Sequence, residues 1–191
     1  MPIGLAATEL QHWFSQGLSY DAYLKQSPEQ AVPWRVNDTK CDLSMSQKEL
    51  LRSFKRDMRV LVLSGIWCGD CSSQGPMLAA IASGSACINL KWLDRDAASK
   101  LSSHLAINQG HRVPTVIFMA EDYEPVSVMG DRTLSRYRAK AAKSLGSSCD
   151  IPSARIPKDE FLDTLQDWLN EFERVELLLR LSNRLRQKHG D

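Results

Sequence analysis

No run of apolar residues in this chain approaches the ~20 that a bilayer-spanning helix needs, so the sequence argues against a membrane-spanning helix. An excess of one charge is missing too. With 24 Lys and Arg against 23 Asp and Glu, the formal net charge is +1, and no global field favours nucleic acid or an anionic lipid surface. Ten Gly and 8 Pro are ordinary usage and no short period recurs, which argues against collagen-like, disordered and repeat architectures. The N-terminal MPIGLAATELQHW has no basic segment ahead of a sustained apolar stretch and no small-residue cleavage pattern behind one. It does not read as a secretory signal, and a cytoplasmic location is expected. What remains is a globular chain of 191 residues, 43% of them hydrophobic, enough to close one core. A single domain over residues 1–191 is the expectation.

Hydrophobic periodicity divides that chain. Leu5, Leu10, Trp13 and Phe14, then Tyr20, Tyr23 and Leu24, recur at helical spacing and predict a helical N-terminal extension over 1–50, packed as a lid. Pro28, Pro33, Asn37 and Asp38 are expected to break it. Ser46 with Glu49 reads as a capping box, placing a helix start near Ser46. Val60 to Leu63 is a β-branched-rich apolar run, as in a strand buried on both faces. Residues 68–82 turn helical and Ile88 to Leu93 returns to strand character, a strand–helix–strand succession suited to a parallel crossover. Ala97 to Leu105 suits a helix, and Val116–Met119 with Val126–Met129 predict an antiparallel hairpin. A modest helix around Leu134 and Tyr137 closes a core expected over 51–145.

Residues 146–191 are expected to be a loop holding Gly146, Ser147, Ser148 and Pro152, then one long helix from about Pro157. Phe161, Leu165, Trp168, Phe172, Val175 and Leu179 form its apolar stripe, continued by Leu185. A helix of roughly 30 residues would run ~45 Å, past the face of a small domain. Its Arg-rich end is then either solvated or, given the apolar surface left by Leu177, Leu178 and Leu181, part of a homodimer contact.

The chemistry is carried by Cys68-Gly69-Asp70-Cys71, which lies where the buried strand ends and a helix begins. A thiolate at a helix N-terminus meets unsatisfied backbone N–H groups and the positive end of the helix dipole, so its pKa falls. A second cysteine one turn on can attack the mixed disulfide that results. The same pair could be half a zinc site, but no second CxxC, CxxH or HxxxH exists and Cys41, Cys87, Cys149 and the four His are scattered. Redox chemistry is therefore preferred, with no metal and no bound cofactor. Five cysteines cannot all pair within one chain.

In this pattern the chain resembles the thioredoxin superfamily, and looks most like a poorly characterised bacterial branch. The matching elements are Trp67-Cys68-Gly69-Asp70-Cys71 after an apolar strand, Pro76 beyond it, Val113-Pro114-Thr115 before the hairpin, and Gly130 after it. Their order and spacing agree over approximately Asp57 to Asp131. The resemblance implies an α/β fold with a central mixed sheet flanked by helices, here with helical N- and C-terminal extensions. It also implies a dithiol–disulfide oxidoreductase in which Cys68 attacks a protein or small-molecule disulfide and Cys71 resolves the intermediate. An external electron donor would regenerate the pair. Trp67 would shield the cleft, Pro114 would be a cis-proline, Val113 would offer backbone groups to an extended substrate, and Gly130 would leave that substrate room. A thioredoxin-like binding or redox-sensing module, acting through its helical ends, is the alternative.

Two departures from the family pattern stand out. The place of a buried aspartate that assists the resolving cysteine holds Val62, and the usual proline between the cysteines is Asp70. The Asp70 charge opposes thiolate formation at Cys68 while interacting favourably with the helix dipole. Elsewhere, Cys87 reads as a small buried hydrophobe, Cys41 and Cys149 lie in loops where a regulatory disulfide is conceivable, and Asp94 and Asp96 suit a helix cap. His111 and Arg112 read as solvated loop residues near the cleft.

Overall fold

A computed structural model describes residues 4–145 and 156–191. The predicted 146–155 loop, and with it Cys149, lies outside the described residues. β1 (Met58–Ser64) is one of the two inner strands, buried along nearly all its length as its continuous apolar run requires. It pairs in parallel with β2 (Ile88–Asp94) and antiparallel with β3 (Thr115–Ala120), and β3 pairs antiparallel with β4 (Pro125–Gly130). The mixed sheet has the order β2-β1-β3-β4. Between β1 and β2 runs the helix α5 (Gly69–Ser83), whose middle, residues 74–78, is buried throughout. No helix among the described residues is long and apolar enough to cross a membrane.

The N-terminal helices α1 (Ala7–Gln16), α2 (Tyr20–Leu24), α3 (Val32–Asp38) and α4 (Met45–Arg52) share the core with the sheet. Leu10, Tyr23, Leu24, Trp34 and Leu51 are almost wholly buried. Pro33 opens α3 instead of breaking it, because a proline within the first turn gives up an N–H that has no helical partner there. Asn37 and Asp38 end that helix. The capping box is likewise shifted: Ser44 accepts from the Gln47 N–H at 3.3 Å while Gln47 reaches back to the Ser44 N–H at 2.9 Å. Ser46 lies inside α4, since Ser44 with Gln47 satisfies the same end two residues earlier.

Helix α3 locks against α5 through two complementary features. A Cβ on Gly75 would lie 2.0 Å from the Trp34 ring, so only glycine admits the indole. The next residue, Pro76, cannot donate to the Ser72 carbonyl one turn back, and that orphaned carbonyl instead accepts from Asn37 Nδ2 at 3.0 Å. The proline that would weaken an isolated helix is thereby accommodated by its neighbour. Trp34 also donates through Nε1 to the Ile66 carbonyl at 2.9 Å, fixing the loop that leads into the two cysteines.

The C-terminal region departs from a single long helix. α8 (Glu160–Leu181) starts at Asp159, whose carboxylate accepts from the N–H groups of Phe161 and Leu162 at 2.9 and 3.0 Å. Leu165, Trp168, Phe172, Val175 and Leu179 are buried as the stripe requires. Ser182 then takes an extended conformation and a separate helix, α9 (Asn183–His189), follows with Leu185 buried. The basic end is held to the acidic β3–β4 turn: Arg184 pairs with Asp122, and His189 Nε2 lies 2.8 Å from Glu121. Apart from Leu185 the basic end is largely exposed, as a solvated end would be, and these surface pairs of complementary charge connect it to the turn. Leu177, Leu178 and Leu181 are exposed and Leu179 is buried.

Candidate active site

The register of the sheet assembles the site. Leu63 near the end of β1 faces Thr115 at the start of β3, and Thr115 faces Gly130 at the end of β4. Three chain segments distant in sequence therefore meet at one end of the sheet, where β1 runs out into the Gly65–Trp67 loop and α5 begins. Cys68 is the N-cap of α5, in extended conformation, and its carbonyl accepts from the Ser72 N–H at 2.9 Å. Gly69, Asp70 and Cys71 form the first turn. Cys68 is partly exposed and Cys71 is fully buried; both are free thiols.

The Cys68 thiol donates to the Val113 carbonyl at 3.7 Å, which sets the Val113–Pro114 segment directly against the Cys68 sulfur. The Val113–Pro114 peptide is cis. Thr115 pins this loop by donating to the Arg112 carbonyl at 2.9 Å. Gly130 supports it from behind: a Cβ there would lie 2.6 Å from the Pro114 carbonyl oxygen and 3.0 Å from Thr115 Cα. The space that glycine leaves is taken by the chain's own backbone. Trp67 is half exposed and folds over Gly65, and the Arg95 guanidinium lies 4.8 Å from its ring centroid. Arg95 in turn donates to the His111 carbonyl at 3.1 Å. On the other side of Cys68, Gly69 borders open space.

The two thiols are strongly differentiated. The hydrogen bond from Cys71 is the largest influence lowering the Cys68 pKa; burial opposes it, and the backbone N–H groups of Cys71 and Asp70 assist. The result is a Cys68 pKa of about 6, so the thiolate predominates at neutral pH. Burial drives Cys71 the other way, well above the ordinary thiol range, helped by the adjacent Cys68. A partly exposed thiolate and a protonated, buried thiol result.

Asp70 does oppose the Cys68 thiolate, but it is the least of the leading influences. Its carboxylate is clamped by two mostly buried arginines: Arg132 pairs with Oδ2, and Arg136 Nη2 lies 2.7 Å from Oδ1. Arg132 also pairs at 2.7 Å with the buried Asp131, which accepts from the Tyr137 hydroxyl and, at 3.4 Å, from Arg112. Gln74 carries the network inward, donating to the Asp131 carbonyl at 3.0 Å and accepting from Trp168 Nε1 at 3.1 Å. Sequence reading did not single out Arg132, Arg136, Asp131 or Tyr137 for this network. Arg132 and Arg136 are spaced one turn apart at the start of α7 (Leu134–Ser144), but no local pattern links them to an aspartate sixty-odd residues upstream.

This clamp predicts paired effects of opposite sign. Asp70→Asn removes the negative charge that opposes the Cys68 thiolate, while Arg132 and Arg136 keep their other acidic partners, Asp131 and Glu160. It should lower the midpoint of Cys68 alkylation against pH. Arg136→Met leaves Asp70 less compensated and should raise it. Shifts in the same direction would show that the clamp acts through helix geometry and not through charge.

Among the described residues no group of three or more His, Cys, Asp or Glu is placed to hold a metal ion. Cys87 is only partly buried and donates to the Phe54 carbonyl at 3.3 Å, while burial raises the Cys41 pKa to about 11. Asp94 accepts from the N–H groups of Asp96 and Ala97, organising the turn before α6 (Ser99–His104).

Comparison with known proteins agrees with this architecture. A protein of unknown function from Pseudomonas aeruginosa superposes with a TM-score of 0.66 at 17% identity, covering 85% of this chain and 93% of that one. An HIV epitope-scaffold superposes with a TM-score of 0.59 at 19% identity, covering 87% and 92%. At these identities the likeness is one of fold. No curated protein matches by sequence. The family model described as thioredoxin matches residues 17–138, reaching upstream of the Asp57–Asp131 stretch to take in α2, α3 and α4. The chain belongs to the thioredoxin family.

Proposed function

We propose that this protein is a thiol–disulfide oxidoreductase that reduces disulfides through Cys68 and Cys71. The observation that carries the reading is the asymmetry of the pair: a partly exposed sulfur at a helix N-terminus with a pKa of about 6, backed by a buried thiol of raised pKa. In the reducing direction the Cys68 thiolate attacks one sulfur of a substrate disulfide. A Cys68–substrate bond forms, the substrate S–S bond breaks, and the first substrate thiolate leaves and is protonated. Cys71 then attacks Cys68 Sγ, closing the Cys68–Cys71 disulfide and releasing the second substrate thiol. Two electrons have passed from the pair to the substrate, and an external dithiol donor must return them. Trp67, Val113 and Pro114 flank the attacking sulfur and would line the path of an extended substrate. Because the chemistry resides in the two sulfurs, no bound cofactor is needed. The soluble cytoplasm, where thiols are kept reduced, suits this direction.

The test is turnover. With dithiothreitol as donor, catalytic amounts should reduce a model protein disulfide repeatedly above the uncatalysed rate, and Cys68→Ser should abolish the gain. Reduction that stops after one equivalent, or equal rates with and without Cys68, would overturn the proposal.

A further inference from the structure

Behind Cys71 lies a pair of hydroxyls that the reading above does not use. Ser64, the last residue of β1, and Tyr23, in α2, are both essentially inaccessible, and neither hydroxyl has a hydrogen-bond partner of good geometry in the reduced protein. Buried hydroxyls are normally satisfied, and leaving one unpaired is destabilising, so two neighbouring orphans call for a reason. Their surroundings supply it. The Ser64 hydroxyl faces both the Cys71 sulfur and the Tyr23 hydroxyl. The Tyr23 ring is held by Trp92, stacked at 5.8 Å, and by Trp34, edge-on at 5.9 Å, which leaves its hydroxyl no route to solvent.

Cys71 needs such a partner. It must lose its proton to attack, yet burial is the largest influence against its thiolate, and Cys68 adds to it. The leading influences that favour the thiolate are the Ser64 hydroxyl and the Gly65 backbone, and no carboxylate stands among them. Of the other titratable groups nearby, Cys68 faces Cys71 from its own helix, Tyr23 faces it from α2, and Asp94 bears on Tyr23 from the end of β2. Burial keeps Tyr23 protonated, so it serves as a donor and not as a base.

We infer that Ser64 is a catalytic residue for the resolving step, donating a hydrogen bond to Cys71 Sγ as its negative charge develops, with Tyr23 as the positioning residue that donates to Ser64 Oγ. The inference rests on Cys71 being the resolving thiol. In that step the Cys71–Cys68 bond forms while the Cys68–substrate bond breaks, and the proton given up by Cys71 ends on the departing substrate thiolate. The hydroxyls gain in the transition state the hydrogen bonds they lack in the reduced ground state, the condition under which an interaction accelerates a step. Their chain Tyr23–Ser64–Cys71 is oriented in advance by the sheet and the aromatic cage.

An aryl disulfide with a chromophoric thiol leaving group separates the steps, because one equivalent is released on attack by Cys68 and a second on resolution by Cys71. Ser64→Ala should leave the first phase unchanged and slow the second about tenfold, the equivalent of one hydrogen bond to a charged sulfur. Tyr23→Phe, which preserves the ring, should slow the second phase less and add nothing in the Ser64→Ala background. Ser64→Thr, which keeps the hydroxyl, should restore the rate. An unslowed second phase in Ser64→Ala would overturn the inference while leaving the resolving role of Cys71 intact. Absence of a second phase in the unmodified protein would instead overturn that role, and the inference with it.

Discussion

Cys71→Ser is expected to convert the protein into a trap: incubated with a disulfide substrate, it should accumulate a stable mixed disulfide through Cys68. Cys68→Ser should capture nothing. The asymmetry follows from the geometry, since Cys68 is accessible and largely ionised at neutral pH whereas Cys71 is buried and protonated. Removing the second thiol leaves the first step possible and the second impossible. Cys71→Ser replaces the thiol whose hydrogen bond most lowers the Cys68 pKa with a hydroxyl that can still donate, so the Cys68 thiolate should stay available and trapping should accelerate as pH rises through the Cys68 pKa. Capture is read as a reducible mass increase assigned to one cysteine. Equal trapping by the two variants would reverse or abolish the assigned roles.

Asp131→Asn should produce the largest loss of stability among substitutions around the site, about 3 kcal/mol, because it deletes the charge between Arg132 and the Tyr137 hydroxyl within a buried network. Arg112 adds little to that figure, being substantially exposed at 3.4 Å. Burial alone would raise the Asp131 pKa, but the Tyr137 hydrogen bond and the charges of Arg132 and Arg112 hold it below the ordinary carboxylate value. A carboxyl group with a depressed folded pKa contributes stability above its unfolded value, near 3.9, and loses it as pH falls through the folded value. The gap between the wild type and Asp131→Asn in urea unfolding should therefore be full at neutral pH and shrink below about pH 4. A gap independent of pH would mean that Asp131 acts by shape alone. The same substitution should disturb Cys68, since Asp131 holds Arg132, and Arg132 holds Asp70.

Much of this was legible from the chain because the decisive signals are local. The run Val60–Leu63 can only be buried on both faces, and the two cysteines one turn apart after it mark a helix start whose dipole favours a thiolate. Val116–Met119 and Val126–Met129 alternate with turn residues as a hairpin must. Helix ends were less legible because neighbouring candidates compete. Ser44 with Gln47 and Ser46 with Glu49 offer the same capping chemistry, and tertiary packing decides between them. Pro33 illustrates the opposite ambiguity, since proline both ends helices and begins them. The helix after Ser182 pairs with Glu121 and Asp122, far away in the chain, and the carbonyl freed by Pro76 finds its partner in Asn37. Within the site, the two cysteines and the Val113–Pro114 loop facing Cys68 were readable. The Asp70 clamp and the hydroxyls behind Cys71 were not, because each joins residues on separate elements that only the sheet register brings together.

The account stands or falls on the state of Cys68, and its alkylation rate as a function of pH, with the modified residue identified by mass, reads that state directly. The predicted result is a midpoint near pH 6 with modification confined to Cys68 while Cys71 stays unreacted. A midpoint in the ordinary thiol range near 8.5, or equal labelling of the two cysteines, would contradict it.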